Sequence, residues 1–389
     1  MTKSFYDAPE IAAYITEYSK VFNETIDVDQ HHVASPLGAW MLLAFLSEKQ
    51  KSPLLEKLLG TDTANAAAIL EGLLKNIPEP IAATVHGWVN PNAEGRYADL
   101  FARSRFAKEI EVKRPSEEEL NKWAKDNTKE IIEKFPLVPD ESFTGLFASA
   151  LATDVKWMKP LTVDAAPEDS AWGVDTVLFD DNENNFSVVV NEELHTFIVH
   201  SNRSKDKLLV HSIIPVEDVA AEEVMRLAND IATGVINVRG KQNAEEAELL
   251  AEALEKGTIL KKVGEQVVDD PYTQFILNGW LPAWESENKF DLSSKDLGFG
   301  ESINVGKNEI LDAVQVTKAQ YGAEGFKAAA ITAVMVSRAA VVFKEKRKVP
   351  VYEVGFNKPY AVVAVYDDFK SPWHKVPVFT GYIKEAVKA

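Results

Sequence analysis

Residues 325–340 read Gly-Phe-Lys-Ala-Ala-Ala-Ile-Thr-Ala-Val-Met-Val-Ser-Arg-Ala-Ala. This is a strand-forming sequence without a strand's usual boundaries. Ala328, Ala329 and Ala330 occupy little volume, while Ile331, Thr332, Val334 and Val336 favour the pleated conformation. Strands are normally bounded by turn residues. Here the run passes into Ser337 and Arg338, and then into a basic stretch with Lys344, Lys346, Arg347 and Lys348. If Phe326 faces inward, the two-residue period turns Ala328, Ala330, Thr332, Val334 and Val336 inward as well. That set is small or β-branched apart from Phe326, and it carries no charge before Arg338. Lys327 falls on the opposite face. Read alone, the segment is either an ordinary core strand or an exposed stretch able to become one.

The rest of the chain supplies a large scaffold. Of its 389 residues 46% are hydrophobic, ample for a sizeable core, and no Gly/Ser-rich or Pro-rich linker divides it. One domain, 1–389, is therefore expected. Ile11, Ala12, Ile15, Tyr18 and Phe22 recur at helical spacing. Ser35-Pro36 is a cap and first-turn pair for a second helix, and residues 37–46 are apolar all round, which predicts burial. Ser116 and Glu119 form a capping box. The helix behind it is expected to carry Leu120, Trp123, Ala124, Ile131 and Phe135 on one face and to stop at Pro136. Helices are also expected over 220–232 and 244–255. Strands are expected over 82–89, 147–155, 186–190, 195–200, 208–214, 360–366 and 376–383. Helices dominate the first third and strands the last half, an α+β layout.

Charge and motifs exclude several functions. A net charge of −18 argues against binding a phosphate backbone, which needs clustered positive charge, so no nucleic-acid partner is expected. The absence of cysteine removes disulfides, zinc–thiolate sites and thiol catalysis. The first ten residues contain no apolar run, so no signal peptide is expected, and the protein is expected to be cytoplasmic or exported by a non-classical route. The longest apolar run, 328–336, is too short to span a bilayer, and no membrane partner is expected. His31-His32 lacks a third ligand and reads as a surface or helix-entry pair. Residues 180–185, Asp-Asp-Asn-Glu-Asn-Asn, lack calcium-loop spacing and read as a solvated turn. Gly298-Phe299-Gly300 lacks the third glycine of a dinucleotide loop. With no catalytic constellation, cofactor or metal site in view, the chain is not read as an enzyme.

The 325–340 segment resembles the reactive-centre loop of the serpins. Gly325 matches the hinge glycine, Ala328, Ala329 and Ala330 the small-residue run, and Thr332 the threonine that follows. Phe356-Asn357-Lys358-Pro359-Tyr360 matches the motif opening the next family strand, and Val378-Phe379-Thr380-Gly381 the closing strand. Upstream, Ala34-Ser35-Pro36-Leu37 resembles the start of the buried second helix, Asn121-Lys122-Trp123 with Thr128 and Ile132 the exposed sixth helix, and Lys156-Trp157 the top of the central sheet. Leu281-Pro282 with Asp291-Leu292 resembles a late strand. The resemblance spans about 35–383.

It implies a large central mixed sheet with additional sheets, helices mainly in the N-terminal part, and an exposed loop over 325–348. It further implies a monomeric suicide-substrate inhibitor of serine proteases. The target cuts the loop, is held as an acyl-enzyme, and is disabled when the cut loop inserts into the sheet. The hinge would comprise Gly325, Phe326, Lys327, Ala328, Ala329, Ala330 and Thr332. Ser35, Ser149 and Trp157 would mark the gate and the top of the sheet. Counted from Gly325, the scissile bond is Ala339–Ala340, which suits subtilisin-like or elastase-like proteases. A shift of one residue places Arg338 there and selects trypsin-like ones. Several features depart from the family pattern, among them Lys327 in place of a usual Glu and Ala323 near another. Phe326 replaces a small hydroxyl residue, and its bulk is expected to slow insertion. Ser149 stands at the gate asparagine and Gly38 at the second gate serine. No histidine occurs between His211 and His374, so the gate histidine is missing. The alternative is a non-inhibitory serpin-fold protein serving binding, storage or chaperone-like roles.

Overall fold

The computed structural model describes residues 8–95, 97, 104–182, 185–190, 195–236, 250–251, 259–268, 273–304, 312–326 and 347–389. Four helices open the chain: α1 (Ala8–Thr25), α2 (Pro36–Ser47), α3 (Pro53–Leu59) and α4 (Thr63–Lys75). Ser35 caps α2 by accepting from Gly38 N at 3.1 Å. Of the helix's twelve residues only Leu42 is not fully buried, as its all-round apolar sequence requires. Helix α5 (Glu117–Asn127) starts at the expected capping box but ends early. Thr128 Oγ1 donates to Ala124 O at 2.7 Å and accepts from Ile132 N at 3.0 Å. Lys129 and Glu130 then take positive φ values of 52° and 61°, which break the helical path. Ile131 and Phe135, expected on the helix, therefore lie beyond it, although Phe135 still packs edge-on against Trp88 and Trp123. Helix α6 (Ala221–Thr233) agrees with expectation. The helix expected over 244–255 lies outside the described residues except for 250–251.

An antiparallel six-stranded sheet runs β1 (His32–Ala34), β18 (Pro377–Ile383), β17 (Tyr360–Tyr366), β10 (Leu208–Pro215), β9 (Thr196–Arg203) and β8 (Phe186–Val190), with α6 packed against it. A five-stranded sheet runs β11 (Leu260–Val268), β16 (Arg347–Gly355), β12 (Ile276–Leu281), β7 (Thr176–Asp180) and β6 (Thr162–Ala165); β12 and β16 are parallel, and the other pairs antiparallel. The central sheet is in two pieces. One is β13 (Trp284–Asp291), β14 (Val314–Tyr321), β15 (Gly325–Phe326) and β5 (Val155–Lys156); the other is β3 (Ile110–Val112), β2 (Ile81–Val89) and β4 (Gly145–Thr153). Asp154 joins β4 to β5, so the pieces are halves of one mixed sheet, with β2 and β3 parallel.

Two local expectations are corrected. His32 belongs to β1, opposite Tyr382, and is 2% exposed, so it is a core residue rather than a surface one. Asp180 is buried at the end of β7, not in a solvated turn. Burial alone would raise its carboxyl pKa. His200 Nε2 at 2.9 Å, Asn185 and the Asn182 N–H outweigh that and hold it below the usual carboxylate range.

Candidate functional site: a slot between the sheet halves

Strands β4 and β14 are neighbours that do not pair with each other. Between them lies an open cleft of about 200 Å³. Its inner side is formed by Leu42 and Leu46 of α2, and its outer side by Trp123 and Thr128 together with Ile131 and Phe135. Along β4, burial alternates because Leu146 and Ala148 pack towards α5 while Phe147 and Leu151 pack towards the α1–α4 core. Backbone donors and acceptors along a strand require partners, so a slot of strand length between two strands is suited to a strand.

The top of the slot is already closed by β15. Trp157 is fully buried. It fixes the turn before β15 by donating from its backbone N–H to Glu324 O at 3.0 Å and from Nε1 to Gly322 O at 2.9 Å. Strand β15 then enters between β14 and β5: Gly325 pairs with Lys156, and Phe326 with both Val155 and Tyr321. A side chain at Gly325 would run into the Val155 carbonyl oxygen, so the hinge glycine is required by close backbone approach. Phe326 is 4% exposed, with its ring edge-on to Trp284 at 6.2 Å and to Phe379 at 6.4 Å. Gly325 and Phe326, expected at the start of the exposed loop, are therefore part of the sheet. The large side chain is already accommodated in the sheet before any of the following residues. Lys327, Ala328, Ala329, Ala330, Thr332, Arg338, Ala339 and Ala340 lie outside the described residues. The far end of the expected loop is also corrected, because Arg347 and Lys348 are already paired in β16.

Lower down, the start of α2 ties the two lips together. Ser149 on β4 donates to Gly38 O at 2.7 Å. On β14, Gln315 accepts from Ser35 N at 2.9 Å and donates to Ser35 O at 2.8 Å. Ser35 Oγ donates to Val378 O at 2.8 Å, and Thr317 Oγ1 donates to Val33 O. Two of the gate positions chosen from sequence, Ser35 and Ser149, thus meet at one helix terminus, while Trp157 closes the top. Gln315 was missed. Its carboxamide engages both backbone groups of Ser35. The signal available was only a polar residue between two valines, Val314 and Val316.

Among the described residues no group of three His, Cys, Asp or Glu could hold a metal, and no helix is long and apolar enough to cross a membrane.

Neither a family model nor a curated protein matches the sequence. Solved structures do match. The thermophilic serpin tengpin in its native state aligns with a TM-score of 0.62 at 17% identity, over 99% of this chain and 95% of that one. The chain has the serpin fold. Tengpin in its latent state gives a TM-score of 0.60 at 15% identity, over 97% and 98% of the two chains. Serpin48, described as a highly specific serpin in the insect Tenebrio molitor, gives 0.56 at 16% identity, over 98% and 99%. Thyroxine-binding globulin in complex with thyroxine also aligns, at a TM-score of 0.57 and 11% identity, over 97% and 99% of the two chains.

Proposed function

We propose that this chain is a single-domain, monomeric serine protease inhibitor that acts as a suicide substrate, with residues 327–346 as the bait loop and the slot as its destination. The observation that carries the reading is the register of β15. Continued along β5 into β4, the pairings Gly325 with Lys156 and Phe326 with Val155 set residues 328–336 against the nine residues of β4, one for one. Ala330 then falls opposite Leu151, Thr332 opposite Ser149, and Val334 opposite Phe147. The same continuation along β14, from Tyr321 opposite Phe326, sets Thr332 opposite Gln315. The inward set predicted from sequence meets the inward side of β4, and the one hydroxyl in that set arrives at the polar gate.

The driving force is a strand's worth of ladder hydrogen bonds together with apolar burial, about 1.5–3 kcal/mol for each valine. An uncut loop bound at both ends cannot realise all of it. Cleavage frees one end, and the acyl-enzyme is carried along before hydrolysis. Subtilisin-like and elastase-like enzymes fit Ala339 at the cut; trypsin-like ones fit Arg338. A second reading, a non-inhibitory binding protein, draws on the fold shared with thyroxine-binding globulin.

The test has two arms. Incubation with a panel of these proteases is expected to give a covalent complex stable in denaturing gels. Cutting the loop with a protease that escapes capture is expected to raise the melting temperature sharply. Equal melting temperatures before and after the cut, with no complex, overturn inhibition and leave the binding reading.

A further inference from the structure

Beyond β18, residues 384–389 run as a strap over the start of β13 to β7. Val387 N donates to Ala283 O at 2.8 Å, and the two residues form an antiparallel bridge. The Val387 side chain packs against the core beneath. Ala389 N then donates to Thr176 Oγ1 at 3.3 Å. The strap thus ties the six-stranded sheet to the central sheet and to the five-stranded one.

One side chain fastens the root of the strap. His31, just before β1, is half-buried. Its Nδ1 accepts two backbone N–H groups of the strap, Lys384 N at 3.1 Å and Glu385 N at 3.3 Å. A neutral imidazole has one accepting and one donating nitrogen. With Nδ1 accepting, Nε2 carries the hydrogen and donates to Glu285 O of β13 at 2.8 Å. The ring is a clip between strap and β13, and it works in one tautomer only. Imidazole is the side chain that takes up a proton between pH 5 and pH 8. The only site for that proton is Nδ1, where it meets two N–H donors. Both strap bonds are then lost, while the Nε2 contact to Glu285 O survives.

The charged and titratable groups on the elements touching the ring are Asp27, Asp29 and His32 on its own segment, Glu285 on β13, and Lys384 and Glu385 on the strap. His32 is buried, and burial disfavours its charged form. The Glu285 carboxylate accepts from Gln320 at 2.6 Å. Asp29 holds the Lys384 ammonium through its carbonyl at 2.7 Å and its carboxylate at 3.1 Å; this pair is largely exposed and adds little on its own. A charged ring here meets carboxylates and water, so what the proton disrupts is the strap.

We propose that His31 is an acid-sensitive clip: while neutral it fastens the 384–389 strap to β13, and on taking up a proton at Nδ1 it lets the strap go.

The test uses the full chain. Lys388 is exposed, and the chain has no cysteine, so Lys388→Cys gives a single site for a nitroxide label. The mobile fraction of its spin-resonance spectrum is expected to rise at least fivefold, reversibly, between pH 7.5 and pH 5.5, with unchanged circular dichroism. A flat response overturns the clip. In the His31→Gln background the carboxamide can still donate and accept but cannot titrate, and the mobile fraction is expected to be the same at both pH values. An equal rise there overturns the clip, because another group then opens the strap. Should that variant fail to fold, histidine labelled with ¹⁵N in the protein with His31 intact decides the matter. The His31 hydrogen is expected on Nε2 at pH 7.5, and its ring is expected to titrate with the same midpoint as strap release. A hydrogen on Nδ1 at pH 7.5, or separate midpoints, overturns the proposal.

Discussion

Gln315 fastens one lip of the slot through a single carboxamide. Its two hydrogen bonds, 2.9 and 2.8 Å, satisfy the N–H and C=O of Ser35 where α2 begins. Gln315→Ala leaves both backbone groups without that partner at a largely buried site, a cost of about 1–3 kcal/mol. The expected outcome is a lower urea midpoint for the uncut protein and a smaller change for the cut one, in which an inserted strand braces β14. An unchanged midpoint removes Gln315 from the gate. Sequence could not have singled it out, since its partner lies 280 positions away. A histidine at the same scale gives a pH prediction. Burial pushes His211 down to about 4 from its ordinary value near 6.5, against the opposing pull of Asp367. Its Nδ1 lies 2.8 Å from Ser201 Oγ. Between these two values the unfolded chain binds the proton and the folded one does not, so stability is full above pH 6.5 and falls towards pH 4. A shift of this size corresponds to about 3 kcal/mol at the acid end. Burial lowers His32 and His86 in the same direction. Urea midpoints measured from pH 7 to pH 4 are expected to decline, and less steeply in His211→Gln.

At the scale of the element, the slot converts alternation into a yes-or-no test. Continued at the register of β15, Ala330 faces inward beside Leu151, while Ala329 faces outward beside Lys318, which is exposed. Ala330→Arg is expected to stop insertion, giving a protein that is cut without gaining heat resistance and that forms no stable protease complex. Ala329→Arg is expected to retain most of both properties. Equal behaviour of the two variants means that the register does not continue past Phe326. The start of this segment was legible in sequence: Phe326, expected to face inward, is buried. The capping box that starts α5 was legible as well, since both partners are local. The end of α5 was not, because Ile131 and Phe135 keep helical spacing although Lys129 and Glu130 have already left the helix. Strand β11 gave no sequence signal at all. Leu260 is its one buried residue, and Val263 and Val267 face solvent at 54% and 53% exposure, so the apolar alternation that marks a strand is missing. Among the described strands β16 is its pairing partner.

For the whole molecule, the decisive quantity is where the bait sits relative to the slot. The nine residues of β4 are matched by 328–336, and the bond inferred from hinge spacing, Ala339–Ala340, lies three residues further on. A cut there leaves a strand long enough to fill the slot, with a short lead carrying the acylated residue past its lower end. A cut much nearer the hinge leaves the slot unfilled and the protease near the top. A cut beyond Lys344 falls beside β16, where backbone paired in a ladder is a poor protease substrate because the chain must first be peeled into an extended, accessible form. The register can be read directly by denaturing the covalent protease complex and weighing the released C-terminal fragment. A fragment beginning at Ala340 assigns the bait to Ala339 and favours enzymes with shallow apolar primary pockets. One beginning at Ala339 assigns it to Arg338 and to enzymes whose pocket carries an aspartate. A fragment beginning after Lys344 refutes both assignments and the slot-length argument with them, since it would leave at least eight residues of lead, about 26 Å of slack, through which the protease would escape deformation.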